Sequence, residues 1–591
     1  MQEYITHYDK TWAELMTYQD RYPLQEYAER SVLTTWKMSY EQVRAAKPEA
    51  AWLLDQWSFF HPGDMSHELI GDYARTFEDS EGARECALIA TNKLSFQDSV
   101  GVLAQYSLVN KTEGMSSFSI HAVVHEWSLY NIVDDRAREQ LCVRAIRMVA
   151  RSISSSKDPG DLQAARKLLP HARMAARRHV KMREVADLQL ELHQVAHFMS
   201  DWESSQEVVS LYLRALRGYE KAWGAKHAST LDTVNNLGLL YAKQGKTKEA
   251  EKMYLRALRG KKEAWGAKHP STLDTVNNLG ALYADQGKME EAEKMYLRAL
   301  RGKKEAWGVK HTSTLETVNN LGLLYAGQGK MKKAEKMYLR ALRGYEEAWG
   351  PKHTSTLDTV NNLGLLYADQ GKMEEAEKMY LRALRGMEEA LGAKHTSTLD
   401  TVNNLGLLYA KQGKMKEAEK MYLRALRGYE EAWGPKHTST LRTVNNLGNL
   451  YADQDKVKEA EEMYVRALRG KDEALGVKHT STLDTVNNLG NLYADQGKMK
   501  EAEEMLIRAL RGKEEAWGAK HTSTLDTMYC LANLYRDQGH AVRAREMYNL
   551  AAEGYKTVEV DRKAYITDIQ EQLSIFAGPD GKVQRKRRRI R

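Results

Sequence analysis

One segment, TSTLDTVNNLGLLYADQGKMEEAEKMYLRALRG, returns with small changes at a fixed spacing of 42 residues, and this repetition leaves few folds open to the chain. His227, His269, His311, His353, His395, His437, His479 and His521 mark eight full units. In the unit beginning near Ser355, apolar or small residues fall at Val360, Leu363, Gly364 and Tyr367, which is the spacing of one helical face. Ser355 and Asp358 read as a capping box at its start. Gly371 is expected to end that helix, and a second helix should bury Ala376, Tyr380, Ala383 and Leu384 before stopping near Leu391 and Gly392. A single helical hairpin cannot bury both its faces. Stacked hairpins can, so the expected fold class is an all-α solenoid.

Leu363, Gly364, Tyr367, Ala376, Tyr380 and Ala383 resemble the tetratricopeptide signature, and the 42-residue form with paired asparagines, NNLGLLY, is similar to the repeat of kinesin light chains. The resemblance implies a right-handed superhelix whose first helices line a concave groove for extended peptides. The proline that usually ends the second helix is missing, and extra residues lengthen that helix instead. Residues 183–224 read as a degenerate first repeat, 225–552 as the tandem repeats, and 553–577 as a capping helix with an apolar stripe at Ile566, Ile569, Leu573 and Phe576. Gly578-Pro579-Asp580-Gly581 then opens a basic tail, 578–591.

Ahead of the repeats, residues 1–30 read as the remnant of an upstream helical segment, 31–132 as a small winged-helix-like module, and 133–182 as a helical linker. Within the module, residues 94–130 give the order helix, strand, glycine-containing turn, strand, helix. Ile120-His121-Ala122, followed by Val123, Val124, His125, Glu126 and Trp127, resembles the Met-His-Asp motif of the switch domain in NLR-type (NB-ARC, STAND) ATPases, especially fungal ones carrying such repeats. The resemblance implies that His121 is a vestigial nucleotide-sensing residue, with the family aspartate replaced by Ala122. A phosphate loop needs a glycine five residues before its Gly-Lys-Thr, and Gly245-Lys246-Thr247 has Leu240 there. The chain is therefore expected to begin just after a nucleotide-binding core and to need no cofactor.

Cys86, Cys142 and Cys530 are too far apart for a disulfide framework or a zinc finger, which points to a reducing, cytoplasmic setting. No run approaches the length of a membrane helix. Of the net charge of +8, +7 sits in the final ten residues, KVQRKRRRIR, so nucleic-acid binding or nuclear localisation would rest on the tail alone. His121 with His125, and His193 with His197, have the spacing of paired metal ligands but lack a third, and structural roles are expected. The Lys-His pairs, such as Lys268-His269, read as loop and cap residues along one rim. Nothing is arranged as a catalytic constellation, and no enzymatic activity is expected.

The candidate site is the face of the first helices. Asn361 lies beside the buried stripe towards the groove, as do its equivalents Asn235, Asn277, Asn319, Asn403, Asn445 and Asn487. Two roles fit them: amides for the backbone of an extended peptide, or an internal ladder tying repeats together. The wheel also turns Asp358 and Asp369 to the groove. Counted over all repeats, these two positions hold twelve acids, including Asp274, Asp400, Asp453 and Asp495, against the three bases Lys243, Lys411 and Arg442. A basic or neutral extended protein segment is the expected partner. The leading reading is a partner-sensing scaffold of the fungal NLR type; the alternative is a kinesin-light-chain-like cargo adaptor.

Overall fold

The computed structural model describes residues 32–70, 89, 92–112, 117–155, 162–182, 187–557 and 563–576. The expected upstream segment and the basic tail lie outside them, as do the glycine of the expected turn and Cys86. The chain divides into two units, residues 1–201 with 206–218, and residues 202–205 with 219–591.

In the first unit, the helices Val32–Ala46 and Pro48–Trp57 are followed by Lys93–Gln105, whose start is capped by the Asn92 side chain accepting from the Leu94 amide at 2.9 Å. A two-residue antiparallel ladder pairs Asn110 with Ser119 and Lys111 with Phe118, and Phe118 exchanges backbone hydrogen bonds with Met65. The helix Ala122–Asn131 comes next, so the expected order of helix, strand, strand and helix is present. Asp135–Ser155, Leu162–Val180 and Gln189–Ser200 complete the unit. Its core gathers Trp57, Phe59, Phe60, Val100 and Leu103, all fully buried.

The second unit is the repeat array, sixteen-residue first helices such as Thr354–Asp369 alternating with nineteen-residue second helices such as Met373–Leu391. The expected capping box is replaced by a histidine cap. His353 sits in extended conformation just before the helix, and its Nδ1 accepts from the Ser355 amide at 3.2 Å, which places Ser355 inside the first turn. The same cap recurs at His227, His269, His311, His395, His437, His479 and His521. Gly371 and Gly392 take the positive φ values, +74° and +90°, that stop the two helices.

Close approach within a hairpin rests on two glycines that face each other's helix. A Cβ on Gly364 would sit 2.9 Å from Cε1 of Tyr380, and one on Gly386 would sit 2.6 Å from Cδ2 of Leu357. Tyr380 and Leu357 are each 1% exposed, so neither has room to withdraw. Gly364→Leu should therefore cost about 1–3 kcal/mol or more by overpacking. Because repeats contact only their neighbours, hydrogen exchange should show the loss around this repeat; equal loss across the whole array would contradict the account.

At the far end the helix Lys563–Phe576 buries Ile569 completely and packs Ile566 and Leu573 on the last hairpin. The array also touches itself between five and six repeats along. Trp202 and Trp433 meet edge to face with centroids 6.4 Å apart; His479 hydrogen-bonds the backbone of Lys243, and its Cδ2 lies 3.2 Å from where a Cβ on Gly245 would stand. His521 meets Gly287 in the same way. One turn of the superhelix thus closes on the next through a histidine and a glycine turn.

Candidate interaction groove

Two faces of each first helix are buried and the third is open. In the opening repeat of the array Asp232, Leu239 and Lys243 are exposed, with Asn235 and Asn236 at the margin. Along the array the equivalents of Asn235 vary from half-buried to buried, Asn277 and Asn403 being buried.

The asparagines form a ladder between repeats. Asn278, Asn320, Asn362, Asn404 and Asn446 each donate from Nδ2 to Oδ1 of Asn235, Asn277, Asn319, Asn361 and Asn403, at 3.2–3.5 Å. The first asparagine of each pair therefore spends its carbonyl oxygen inside the array, and Asn277 and Asn403 are only 5% and 3% exposed. Their Nδ2 groups carry no hydrogen bond among the described residues. Further along the ladder breaks, because Asn488 turns to Asn449 and position 530 is a cysteine. Asn445 and Asn487 are left with buried, unpartnered Oδ1 atoms.

The acids of the first set meet partners that the sequence reading missed, since these come from the second helix. Lys261, Lys303 and Lys513 are nearly fully buried and reach Asp232, Asp274 and Asp484 at 2.8, 2.9 and 2.8 Å. Tyr429 donates to Asp400 at 2.6 Å, and Arg442 pairs with the same carboxylate from the following repeat. Lys471 has Arg442 where its counterparts have an acid; burial pulls its ammonium down to about 8, the charge of Asp484 opposing the shift and that of Arg442 adding to it, and it donates to Ser481 O and Thr485 Oγ1. Among the described residues Asp358 forms no ion pair. It is exposed, yet the repeats around it strip enough water to push its carboxyl up to about 6, with the charge of Asp400 adding to the shift. In the second set Asp369 pairs with Lys411 at 3.1 Å, Asp453 is half-buried, and Asp495 is exposed.

The rim is built differently. Six of the eight capping histidines lie against a tryptophan, Trp349 and His353 having centroids 4.1 Å apart, while Leu391 and Leu475 stand in its place before His395 and His479; the lysine next to His353 reaches a glutamate at the end of the same repeat's second helix, Lys352–Glu389 at 2.5 Å. These histidine rings are thus committed to capping and stacking. His121 also caps its own helix, its Nδ1 accepting from the Val123 amide at 3.3 Å. His125 points away from it into the core, where its Nε2 lies 2.8 Å from Phe60 O. His193 and His197 have ring centroids 6.4 Å apart. Among the described residues no three His, Cys, Asp or Glu side chains are grouped to hold a metal, and no helix is long and apolar enough to cross a membrane.

A family model described as tetratricopeptide repeat matches residues 184–263, 271–347, 355–431, 397–473 and 481–557, more than half of the chain. The chain belongs to the tetratricopeptide repeat family. A second tetratricopeptide model matches residues 319–390. A search of curated proteins gave no match. Solved structures with similar folds include BtubC (BKLC) from P. vanneervenii, 24% identical over 39% of this chain and 91% of that one, with a TM-score of 0.33. The nearly identical TPR-like repeats of a Podosopora anserina protein assigned to the kinesin light chains are 23% identical over 34% of this chain and 96% of that one, with a TM-score of 0.30. A STAND protein with a tetratricopeptide repeat sensor, PH0952 from Pyrococcus horikoshii, is 13% identical over 86% of this chain and 75% of that one, with a TM-score of 0.37. The tetratricopeptide array makes the chain a protein-interaction scaffold.

Proposed function

We propose that the concave face of the tetratricopeptide array holds an extended, basic or neutral segment of a partner protein, as the partner-sensing part of an NLR-type protein. The observation that carries this reading is the surplus of carboxylates on the first-helix face, Glu316 and Asp358 in particular, over the cations that reach them. An acidic ligand would meet like charge there, whereas Lys or Arg side chains would be drawn in. The Nδ2 groups of the half-buried Asn235, Asn319 and Asn361 are the donors left for a partner's backbone carbonyls, Asn277 and Asn403 being buried. The order helix, strand, strand and helix, with His121 capping the start of the last helix, supports the likeness to NLR-type switch domains.

A peptide array followed by titration calorimetry tests the reading. Basic peptides should bind more weakly as salt is added, and Asp358→Lys with Asp400→Lys should weaken them about tenfold or more. Asn361→Ala should weaken binding with little change in its salt dependence. A clear preference for acidic peptides would overturn the proposal.

A further inference from the structure

The residue on the second helix that faces each groove acid differs from repeat to repeat, and this difference decides which acids a ligand can reach. Lysine stands there in the first, second, sixth and seventh repeats, and in all of these but the sixth it closes an ion pair, with Asp232, Asp274 or Asp484. In the third repeat the position is Tyr345, and in the fourth it is Met387, which is 1% exposed, accepts from Thr401 Oγ1 on its sulfur and brings no charge. Asp358 opposite Met387 consequently has the neutral Tyr345 phenol and the Asp400 carboxylate beside it, and the charge of Asp400 is taken by Arg442.

Beside these acids the open face is apolar over the same stretch. Leu323 is 55% exposed and Leu407 is 36% exposed, with Leu365 between them half-buried. In the last three repeats this position holds Asn449, Asn491 and Asn533, so the apolar strip ends there.

Resting on the groove reading above, we propose that the third to fifth repeats form its recognition segment, a face that takes an extended peptide in which a Lys or Arg side chain at Asp358 and Glu316 is flanked by apolar side chains on Leu323, Leu365 and Leu407. The charge and the leucines act together. A cation alone would meet an exposed carboxylate of small net value, and an apolar peptide alone would leave Asp358 desolvated and unpaired. A buried lysine in place of Met387 would close the site as Lys303 closes the second repeat.

The test uses the full chain and two synthetic peptides, one alternating Lys with Leu and one alternating Glu with Leu, read by fluorescence anisotropy. The Lys/Leu peptide should bind and the Glu/Leu peptide should not. Met387→Lys should weaken the Lys/Leu peptide about five- to tenfold, and Lys303→Met, which frees Asp274, should strengthen it. Lysine already occupies this position in four repeats, so the fold should accept it; Asp358→Asn gives a second variant that removes the charge without adding bulk, with the same expected loss. If the Lys/Leu peptide does not bind at all, the groove reading itself fails. If it binds and both Met387→Lys and Asp358→Asn leave its affinity within about twofold, the recognition segment is elsewhere, while the groove reading stands.

Discussion

Lowering the pH from about 7 to about 4 is expected to strip about 2 kcal/mol from the first unit. Two of its histidines are buried and poorly provided with partners: His171 with Nδ1 unbonded, and His179 with both ring nitrogens unbonded. Burial holds each of them down at about 4, helped by the charge of His61 on one and of Arg214 on the other. A depressed histidine folds neutral, so its contribution is present above about 6.5, where the unfolded chain is neutral too, and is lost as the pH falls towards 4. Asp55 works in the opposite direction. Burial raises its carboxyl to about 7, and the folded unit gains as that group keeps its proton. Two histidines at about 3 kcal/mol each against one acid at about 4 leave the net loss. Hydrogen exchange over residues 141–155 and 162–180 should therefore lose protection in acid, sooner still in Asp55→Asn. The double variant His171→Phe with His179→Leu should keep its protection. Unchanged exchange in the unmodified chain down to about pH 4 would sink the idea.

Tyr380→Ala should remove about 3–5 kcal/mol from the array. The ring is 1% exposed and fills the space that Gly364 leaves open, so truncation creates a cavity between two helices that cannot close it. The position tolerates a different shape, since the seventh repeat carries the fully buried Leu506 opposite Gly490. Tyr380→Leu should therefore cost far less than Tyr380→Ala. Because stability in such an array is a sum of local terms, a weak repeat in the middle should divide urea unfolding into two steps. A single transition with an unmoved midpoint would show that the cavity is relaxed away.

Much of the array was legible because its physics is periodic. Gly364, Ala376, Tyr380 and Ala383 sit where a helical face requires, and the buried positions repeat with the unit. The capping residue differs from the expected one for a physical reason: a histidine Nδ1 can reach the amide two residues on as an Asn or Ser oxygen does, and the more familiar cap, Ser355, lies two residues inside the helix start. The groove charge was legible only in part. A helical wheel describes one helix at a time, and Lys261, Lys303 and Lys513 reach their acids from another. Likewise the asparagines looked equally suited to a peptide and to a ladder until the distance between adjacent first helices was known. In the first unit, where no period helps, the order of elements around His121 was readable from local pattern, but the burial of His171 and His179 depends on helices far apart in sequence.

The contact between successive superhelical turns has a consequence for how such a gene can change. Each repeat offers a histidine at the head of its first helix and a tight turn at the foot, a glycine everywhere except Asp455. When unequal recombination between the near-identical units adds or deletes one of them, a different pair of repeats comes face to face, but the chemical groups that meet are the same. The array can therefore lengthen or shorten by whole units while the joint between histidine and turn keeps its chemistry. Selection can then act on which groove residues the copies carry, while the coil that presents them stays in register.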